Sequence, residues 1–233
     1  MAYGLIFDVD GVIADSETLI AHATIAMFRD EYGHEFAVDD FKPFIGTGSV
    51  RYTLGPAEAA GLKIDLDKAL DICHANFDRL VAAANNIAFP GAKELVEAAA
   101  ASPEWKLAMA TSSPRLKSEA TLRATGIDTS LFNTWINGDM IKRPKPNAEI
   151  YVTAALAMQL PPVRCIAIED AVNGIKAAKD ACMKCVGVTT SFPAEKLSGA
   201  DHIVDSLTEL DLDMLADLIS ADKRPITWGA RKV

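Results

Sequence analysis

The chain has 233 residues, of which 50% are hydrophobic and 24% are charged, an ordinary composition for a globular protein. Its formal net charge of −9 at pH 7 repels nucleic acid and anionic membrane surfaces, so we expect neither as a partner. The first residues do not show the basic stretch followed by an apolar stretch that marks a signal peptide, and no apolar run reaches the length of about 18 residues typical of a membrane span. We therefore expect a cytoplasmic protein, and the absence of heptad repeats favours a monomer.

Apolar runs rich in β-branched and aromatic residues recur along the chain, with helical patterns between them. This alternation predicts an α/β fold with a doubly wound, Rossmann-like parallel sheet and helices on both faces. The predicted strands cover residues 4–9, 106–111, 134–137, 164–169, 184–189 and 202–204. Between the second and the fifth strand we predict helices at residues 114–125, 148–158 and 174–181.

The interval after the first predicted strand contains helical patterns at residues 17–32, 55–61 and 67–85, and no convincing strand. Ordinary connections between a strand and a helix are far shorter than this interval. We therefore predict an all-helical cap domain over residues 17–87, inserted into a catalytic core formed by residues 1–16 and 88–233. A long crossover packed on the same core would give the same pattern.

The first predicted strand runs directly into Asp8 and Asp10. If this strand is central, its carboxyl end opens at the crevice where such sheets bind ligands. Residues two apart on a strand point the same way, and Gly11 allows the chain to turn away sharply. Two close carboxylates raise the pKa of one of them, which leaves one group ionised and one able to hold a proton. Taken alone, the pair is equally consistent with a helix cap or a structural cation site.

Three later strand ends carry complementary polar groups. The segment ATSSP ends in the hydroxyl groups of Thr111 to Ser113, where free amides at a helix start can hold an anion; the serines could also be ordinary N-caps. Lys145 lies between two prolines, which makes a stiff mount for a point charge, and a solvated loop lysine is the alternative. Glu169 and Asp170 follow another apolar strand and suggest a hard cation with oxygen ligands.

The four strand ends together resemble the haloacid dehalogenase superfamily of phosphotransferases. The motifs that match are Asp8-Val9-Asp10-Gly11, Thr111, Lys145 and Glu169-Asp170. Within this superfamily, the segments DGVIADSE, ATSSP and EDAVNGIKAAKDA are similar to the β-phosphoglucomutase-like phosphatase branch. The resemblance covers about residues 3–207.

The resemblance implies that Asp8 attacks phosphorus, that Asp10 acts as general acid and base, and that Thr111 and Lys145 hold the transferring oxygens. Arg143 is a second basic residue near Lys145, and we assign the role to Lys145. The implied cofactor is magnesium. Its implied ligands are Asp8, the main-chain carbonyl of Asp10, Asp170, and Glu169 either directly or through water. Substrate contacts are expected from Ser112, Gly46 and Arg51.

The choice between a phosphatase and a mutase depends on the start of the predicted cap. Mutases of this branch carry a histidine where this chain has Ile20, and they favour Thr-Ala where it has Ser16-Glu17. The spacing from Gly48 to Arg51 matches the mutase pattern for a second phosphate, although an exposed helix arginine explains it equally well. We expect hydrolysis of a small phosphorylated substrate, such as a sugar or polyol phosphate. A sugar-phosphate mutase is the alternative, and a non-catalytic binding module, for which Asp10 has no evident use, is the third.

Overall fold

The structure is a computed structural model that describes residues 2–45, 47–84 and 86–221. The described strands are β1 (Tyr3–Phe7), β2 (Trp105–Ala110), β3 (Thr134–Ile136), β4 (Cys165–Glu169), β5 (Lys184–Val188) and β6 (His202–Val204). They form one parallel sheet in the order β3-β2-β1-β4-β5-β6. The six predicted strands and the α/β, Rossmann-like fold class are therefore confirmed.

The structure describes eight helices. They are α1 (Glu17–Tyr32), α2 (Ser49–Ala59), α3 (Leu66–Ala83), α4 (Ala92–Ala101), α5 (Arg115–Thr125), α6 (Glu149–Ala157), α7 (Val172–Asp180) and α8 (Leu212–Ser220). The predictions for α1, α3, α5, α6 and α7 agree closely with these bounds. α2 begins at Ser49 rather than at position 55, and α4 and α8 were not predicted. None of the described helices combines the length and apolarity that crossing a membrane requires.

Alternate residues of the central strand enter two different hydrophobic layers. Leu5 and Phe7 pack in a layer to which α4 and α8 also contribute, whereas Ile6 packs in a layer with α6 and α7. Burial on both faces is what a continuous apolar run in a parallel strand requires. β1 lies where the strand order reverses, with β2 on one side and β4 on the other. This is the position at which doubly wound sheets open a ligand crevice.

The helical segment between β1 and α4 has a hydrophobic cluster of its own. Phe28 of α1 is fully buried, and its ring centroid lies 4.7 Å from that of Phe36. Phe41 and Tyr52 stack with a centroid distance of 5.3 Å in the same cluster. A separate cluster supports the proposal that residues 17–87 are a cap domain. The last part of the proposed core, residues 222–233, lies outside the described residues.

Candidate active site

Acidic side chains that follow β1 and β4 meet at the carboxyl edge of the sheet. The two strands are paired neighbours with Phe7 opposite Ile168, so the residues that come next emerge side by side. One carboxylate oxygen from each of Asp8, Glu169 and Asp170 lies within 4.8 Å of the other two, and all three residues are buried. These three predicted site residues therefore come together.

Lys145 is the cation of this cluster. Its Nζ donates to Asp8 Oδ1 at 2.9 Å and to Glu169 Oε1 at 2.6 Å, and its side chain is only 5% exposed. Arg143, the rival basic residue, is 70% exposed and pairs with Glu149 instead. The structure thus brings Lys145, and not Arg143, to Asp8, and the alternative of a solvated loop lysine is wrong.

The cluster carries more negative charge than Lys145 offsets. Burial, together with the charges of Glu169 and Asp10, raises the pKa of Asp8 to about 7, against the opposing effect of Lys145. Burial, Glu169 and Asp8 likewise raise the pKa of Asp170 well above its ordinary value. Burial lowers the pKa of Lys145, but Asp8 and Glu169 raise it more, so the ammonium stays protonated. Such a site gains stability from a bound cation.

The donor set fits a hard divalent cation, and its members are not equally available. Glu169 already accepts hydrogen bonds from Lys145, from the Tyr151 hydroxyl and from the Ala171 amide. Asp170 has fewer partners and lies so close to Gly11 that a Cβ there would come within 1.9 Å of its Oδ2. Oxygen ligands such as these carboxylates are what hard divalent cations take in proteins. If such a cation binds, Asp8 and Asp170 are better placed than Glu169 to contact it directly.

The Asp10 carboxylate faces hydroxyl groups rather than the acidic cluster. It accepts from Ser16 Oγ at 2.5 Å, Ser113 Oγ at 2.7 Å and Thr111 Oγ1 at 3.2 Å. Burial raises its pKa, but Lys117 and these donors lower it more, so the net direction is downward. The pKa values of the two aspartates thus shift in opposite directions, but in the reverse of the order that an ionised Asp8 and a protonated Asp10 would need. Without a cation, it is Asp8 whose pKa is raised.

The hydroxyl groups of Thr111 and Ser112, which follow β2, have different surroundings. The fully buried Thr111 donates to Asp10 and accepts from the Ser113 amide at 3.0 Å. Ser112 lines the adjacent cavity, and its Oγ is buried without a hydrogen-bond partner among the described residues. The N-cap position of α5 is Pro114, so the alternative of a serine N-cap is wrong. Ser112 is left with a free donor that faces the place where an anion would bind.

The cavity extends from the aspartates into the helical segment, where it is lined by Ile20, Tyr52 and Phe77 among others. Two charged lining residues were not predicted as site residues. Glu17, at the start of α1, has a buried Oε2 without a described hydrogen-bond partner. Lys117, in the first turn of α5, lies 3.5 Å from Asp10 Oδ1 and donates to Ser113 Oγ at 2.9 Å. The available signal was that both helices start at the edge of the sheet that carries the aspartates.

The carboxyl group of Glu17 is buried although it lies at the start of a helix. Burial, together with the charges of Asp10 and Asp15, raises its pKa to about 7, against the opposing effect of Lys117. Ile20, the position at which the mutases carry a histidine, also lines the cavity, whereas His22 is exposed on the same helix. The cavity does contain an imidazole, which is His74 of α3.

Of the predicted substrate contacts in the helical segment, only Arg51 is described by the structure. Gly46 lies outside the described residues. Arg51 is half exposed, pairs with Glu58 and lies 5.4 Å above the ring of Phe44. It is not among the residues that line the cavity. A substrate role for either residue stays a prediction.

Comparisons with known proteins support the family resemblance found in the sequence. Residues 4–181 match the haloacid dehalogenase-like hydrolase family. The chain is 35% identical over 213 residues to Protein SUPPRESSOR OF QUENCHING 1, chloroplastic, of Arabidopsis thaliana, an alignment that covers 90% of this chain and 20% of that protein. It is 32% identical to Validoxylamine A 7'-phosphate phosphatase of Streptomyces hygroscopicus subsp. limoneus, over 88% of this chain and 94% of the relative.

Solved structures show the same architecture. The fold is similar to that of CbbY from Rhodobacter sphaeroides in complex with xylulose-(1,5)bisphosphate, with a TM-score of 0.78 and 27% identity. That similarity covers 90% of this chain and 96% of CbbY. This chain belongs to the haloacid dehalogenase-like hydrolases, in the branch that includes β-phosphoglucomutase and the CbbY-type phosphatases, and it is a phosphoric monoester hydrolase.

Proposed function

We propose that the protein is a magnesium-dependent phosphatase that hydrolyses a sugar or polyol phosphate through an aspartyl phosphate on Asp8. The observation that carries this proposal is the meeting of Asp8, Asp10, Lys145 and the acidic pair at one edge of the sheet. The printed names of the relatives support the class, since one of them is a validoxylamine A 7'-phosphate phosphatase and another was solved with xylulose-(1,5)bisphosphate.

In the first step, a carboxylate oxygen of Asp8 attacks phosphorus, the bond from phosphorus to the ester oxygen breaks, and the alcohol leaves. Lys145 fixes the attacking group by donating to Asp8 Oδ1 at 2.9 Å. Ser112 Oγ and the amides at the start of α5 supply donors for the phosphate oxygens. Covalent catalysis of this kind divides one difficult displacement into two easier ones.

Asp10 moves the protons. It protonates the departing alkoxide and then accepts a proton from the water that attacks the phosphorus of the aspartyl phosphate. Its lowered pKa means that it is ionised before substrate binds. A phosphate dianion bound nearby raises the pKa of a carboxyl group, so that Asp10 takes up a proton from solvent as the substrate binds and donates that proton to the leaving oxygen.

Magnesium, when bound, supplies positive charge between the carboxylates and the phosphate oxygens. Asp8 and Asp170 would hold it, with Glu169 as a third oxygen donor. The charge excess at these residues and the close approach permitted by Gly11 support this assignment.

Two observations favour hydrolysis over the mutase alternative. Ile20 occupies the cavity position at which the mutases of this branch carry a histidine. Arg51, the candidate for holding a second phosphate, pairs with Glu58 outside the cavity. We further propose that the helical segment covers the site as a cap, and that the enzyme acts as a cytoplasmic monomer without a nucleic-acid or membrane partner.

The test is to follow phosphate release and phosphate position together, with magnesium and a panel of sugar and polyol phosphates. The wild type should release phosphate, and Asp8→Asn should abolish the release. Asp180→Asn is the control, because Asp180 is an exposed partner of Lys176 on α7. Migration of phosphate without release would point to the mutase, and full activity of Asp8→Asn would contradict the covalent mechanism.

A further inference from the structure

The part of the cavity beyond the aspartates contains a buried carboxylate that the mechanism does not use. Most of its wall in the helical segment is apolar, formed by residues such as Ile20, Leu70 and Phe77. Glu17 places a carboxylate among them, and its Oε2 is fully buried without a described hydrogen-bond partner. Such an atom costs free energy until it accepts a hydrogen bond. A bound molecule that offers a donor would satisfy it.

The cations of the cavity are already engaged by other groups. Lys145 is held by Asp8 and Glu169, at 2.9 and 2.6 Å. Lys117 lies 3.5 Å from Asp10 Oδ1 and donates to Ser113 Oγ. Neither lysine forms an ion pair with Glu17 within the described residues. Glu17 therefore keeps its hydrogen-bonding capacity for a ligand.

The charge balance argues against a second anionic group on the substrate. Five acidic side chains, two lysines and His74 line the cavity, so a leaving group with its own phosphate or carboxylate would meet Glu17 without a free ammonium beside it. Like charges that cannot be solvated repel strongly. Arg51, which would neutralise a second phosphate, is paired with Glu58 outside the cavity. A neutral leaving group with hydroxyl groups fits both the free acceptor and the charge.

We propose that Glu17 is the residue that determines specificity for the leaving group: it accepts a hydrogen bond from a hydroxyl of a neutral polyol or sugar and discriminates against substrates with a second phosphate. This inference rests on the proposed phosphatase function and names its substrate class. Glu17 would contact the alcohol part of the substrate, whereas phosphorus is handled by Asp8 and Lys145.

The test compares kcat/KM for three matched six-carbon substrates with magnesium: sorbitol 6-phosphate, hexyl phosphate without hydroxyls, and sorbitol 1,6-bisphosphate. The assays are run well above pH 7, where Glu17, whose pKa is raised to about 7, is ionised. The wild type should prefer sorbitol 6-phosphate to both others. Glu17→Leu should reduce the preference over hexyl phosphate by about 10- to 100-fold, as expected for loss of a hydrogen bond to a charged group. Glu17→Gln keeps an acceptor oxygen but not the charge, so it should mainly relax the discrimination against the bisphosphate, by about tenfold.

Glu31→Gln is the matched control, since Glu31 is the same residue type on the same helix but pairs with Lys68 outside the cavity. Its substrate preferences should equal those of the wild type. Melting temperatures establish that each variant is folded, and Glu17→Gln tests the charge effect even if Glu17→Leu does not fold.

Two results would overturn the proposal while leaving the phosphatase function intact: equal losses on all three substrates in the Glu17 variants, or a wild type that prefers the bisphosphate. A wild type that releases no phosphate from these substrates or from p-nitrophenyl phosphate would overturn the proposed function and this inference together. Activity of the wild type on p-nitrophenyl phosphate therefore separates the two failures.

Discussion

Lys145 donates hydrogen bonds to three buried acceptors: the Asp8 and Glu169 carboxylates and the Ala110 carbonyl. Removing one partner of a buried charged pair costs about 3–5 kcal/mol, because the other charge loses its compensation. We therefore expect Lys145→Met to lower the free energy of unfolding by about that amount in metal-free buffer and to abolish turnover. Urea unfolding measures the first effect and phosphate release the second.

Lys176→Met is the control for that experiment, because Lys176 is 61% exposed and pairs with Asp180 on the surface of α7. Its free energy of unfolding should stay within about 0.5 kcal/mol of the wild type. A Lys145 variant as stable and as active as this control would show that Lys145 does not hold the acidic cluster.

The raised pKa of Asp8 predicts a pH-dependent response to magnesium. Between its ordinary pKa of 3.8 and the folded value of about 7, the native state holds a proton that the unfolded chain does not. The metal-free protein should therefore lose stability as pH rises between these two values, with the loss complete above about pH 7, and magnesium, which competes with that proton, should restore it. We expect a larger magnesium-induced rise in melting temperature at pH 8 than at pH 5.5.

Asp170→Asn supplies the matched variant for the pH experiment. Loss of one charge from the cluster should stabilise the metal-free protein at pH 8 and reduce its response to magnesium. An equal magnesium effect at both pH values in the wild type, or an undiminished effect in Asp170→Asn, would contradict the assignment of these residues as the cation site.

At the scale of elements, the helical segment depends on its own aromatic cluster. Phe28 is fully buried, with ring centroids 4.7 Å from Phe36 and 6.1 Å from Tyr32. Phe28→Ala should cost about 3–5 kcal/mol, since it deletes a buried aromatic ring and leaves a cavity. If residues 17–87 are a cap domain, hydrogen exchange should show this loss in α1 to α3 while β1 and β4 keep their protection. A uniform loss across the sheet would favour a long crossover on a single core.

The sequence predicted some elements well for a physical reason. Each strand is a short apolar run bounded by turn residues, and burial on both faces leaves that signature in the chain. α4 was missed although Leu95 and Val96 pack in the same layer as Leu5 and its buried residues have the spacing of one helix face. The turns at Val38–Phe44, which include Pro43, were also missed, since their 3₁₀ geometry follows from packing in the helical segment.

Only the part of the candidate site that lies near the strand ends could be predicted from the sequence. Asp8 and Asp170 were found because parallel strands bring their carboxyl ends to one edge. Lys145 lies in the loop before α6, and its role was implied by the family resemblance. Glu17 and Lys117 lie on helices, and helical periodicity does not show which face meets a cavity in another element. The hydroxyl of Thr111 was expected at the phosphate, but in the structure it donates to Asp10, and the free donor belongs to Ser112.

At the scale of the whole molecule, the sheet and the helical segment form the two walls of one cavity. β1 is central in the sheet, and the residues after β1, β2 and β4 all face this cavity. The residues proposed to act on phosphorus lie at the edge of the sheet, whereas Glu17, which is proposed to recognise the leaving group, lies on a helix. This arrangement lets the phosphate site stay constant while the opposite wall determines the substrate.

The central claim, that Asp8 carries a phosphoryl group and Asp10 activates the water that removes it, is tested most directly with Asp10→Asn and p-nitrophenyl phosphate. The leaving group of this substrate needs no proton, so the variant should transfer phosphate to Asp8 but fail to hydrolyse it. We predict a burst of about one equivalent of nitrophenol per enzyme, with phosphate on the peptide that contains Asp8 after acid quench. Steady turnover without a burst, or a label on another residue, would contradict the account.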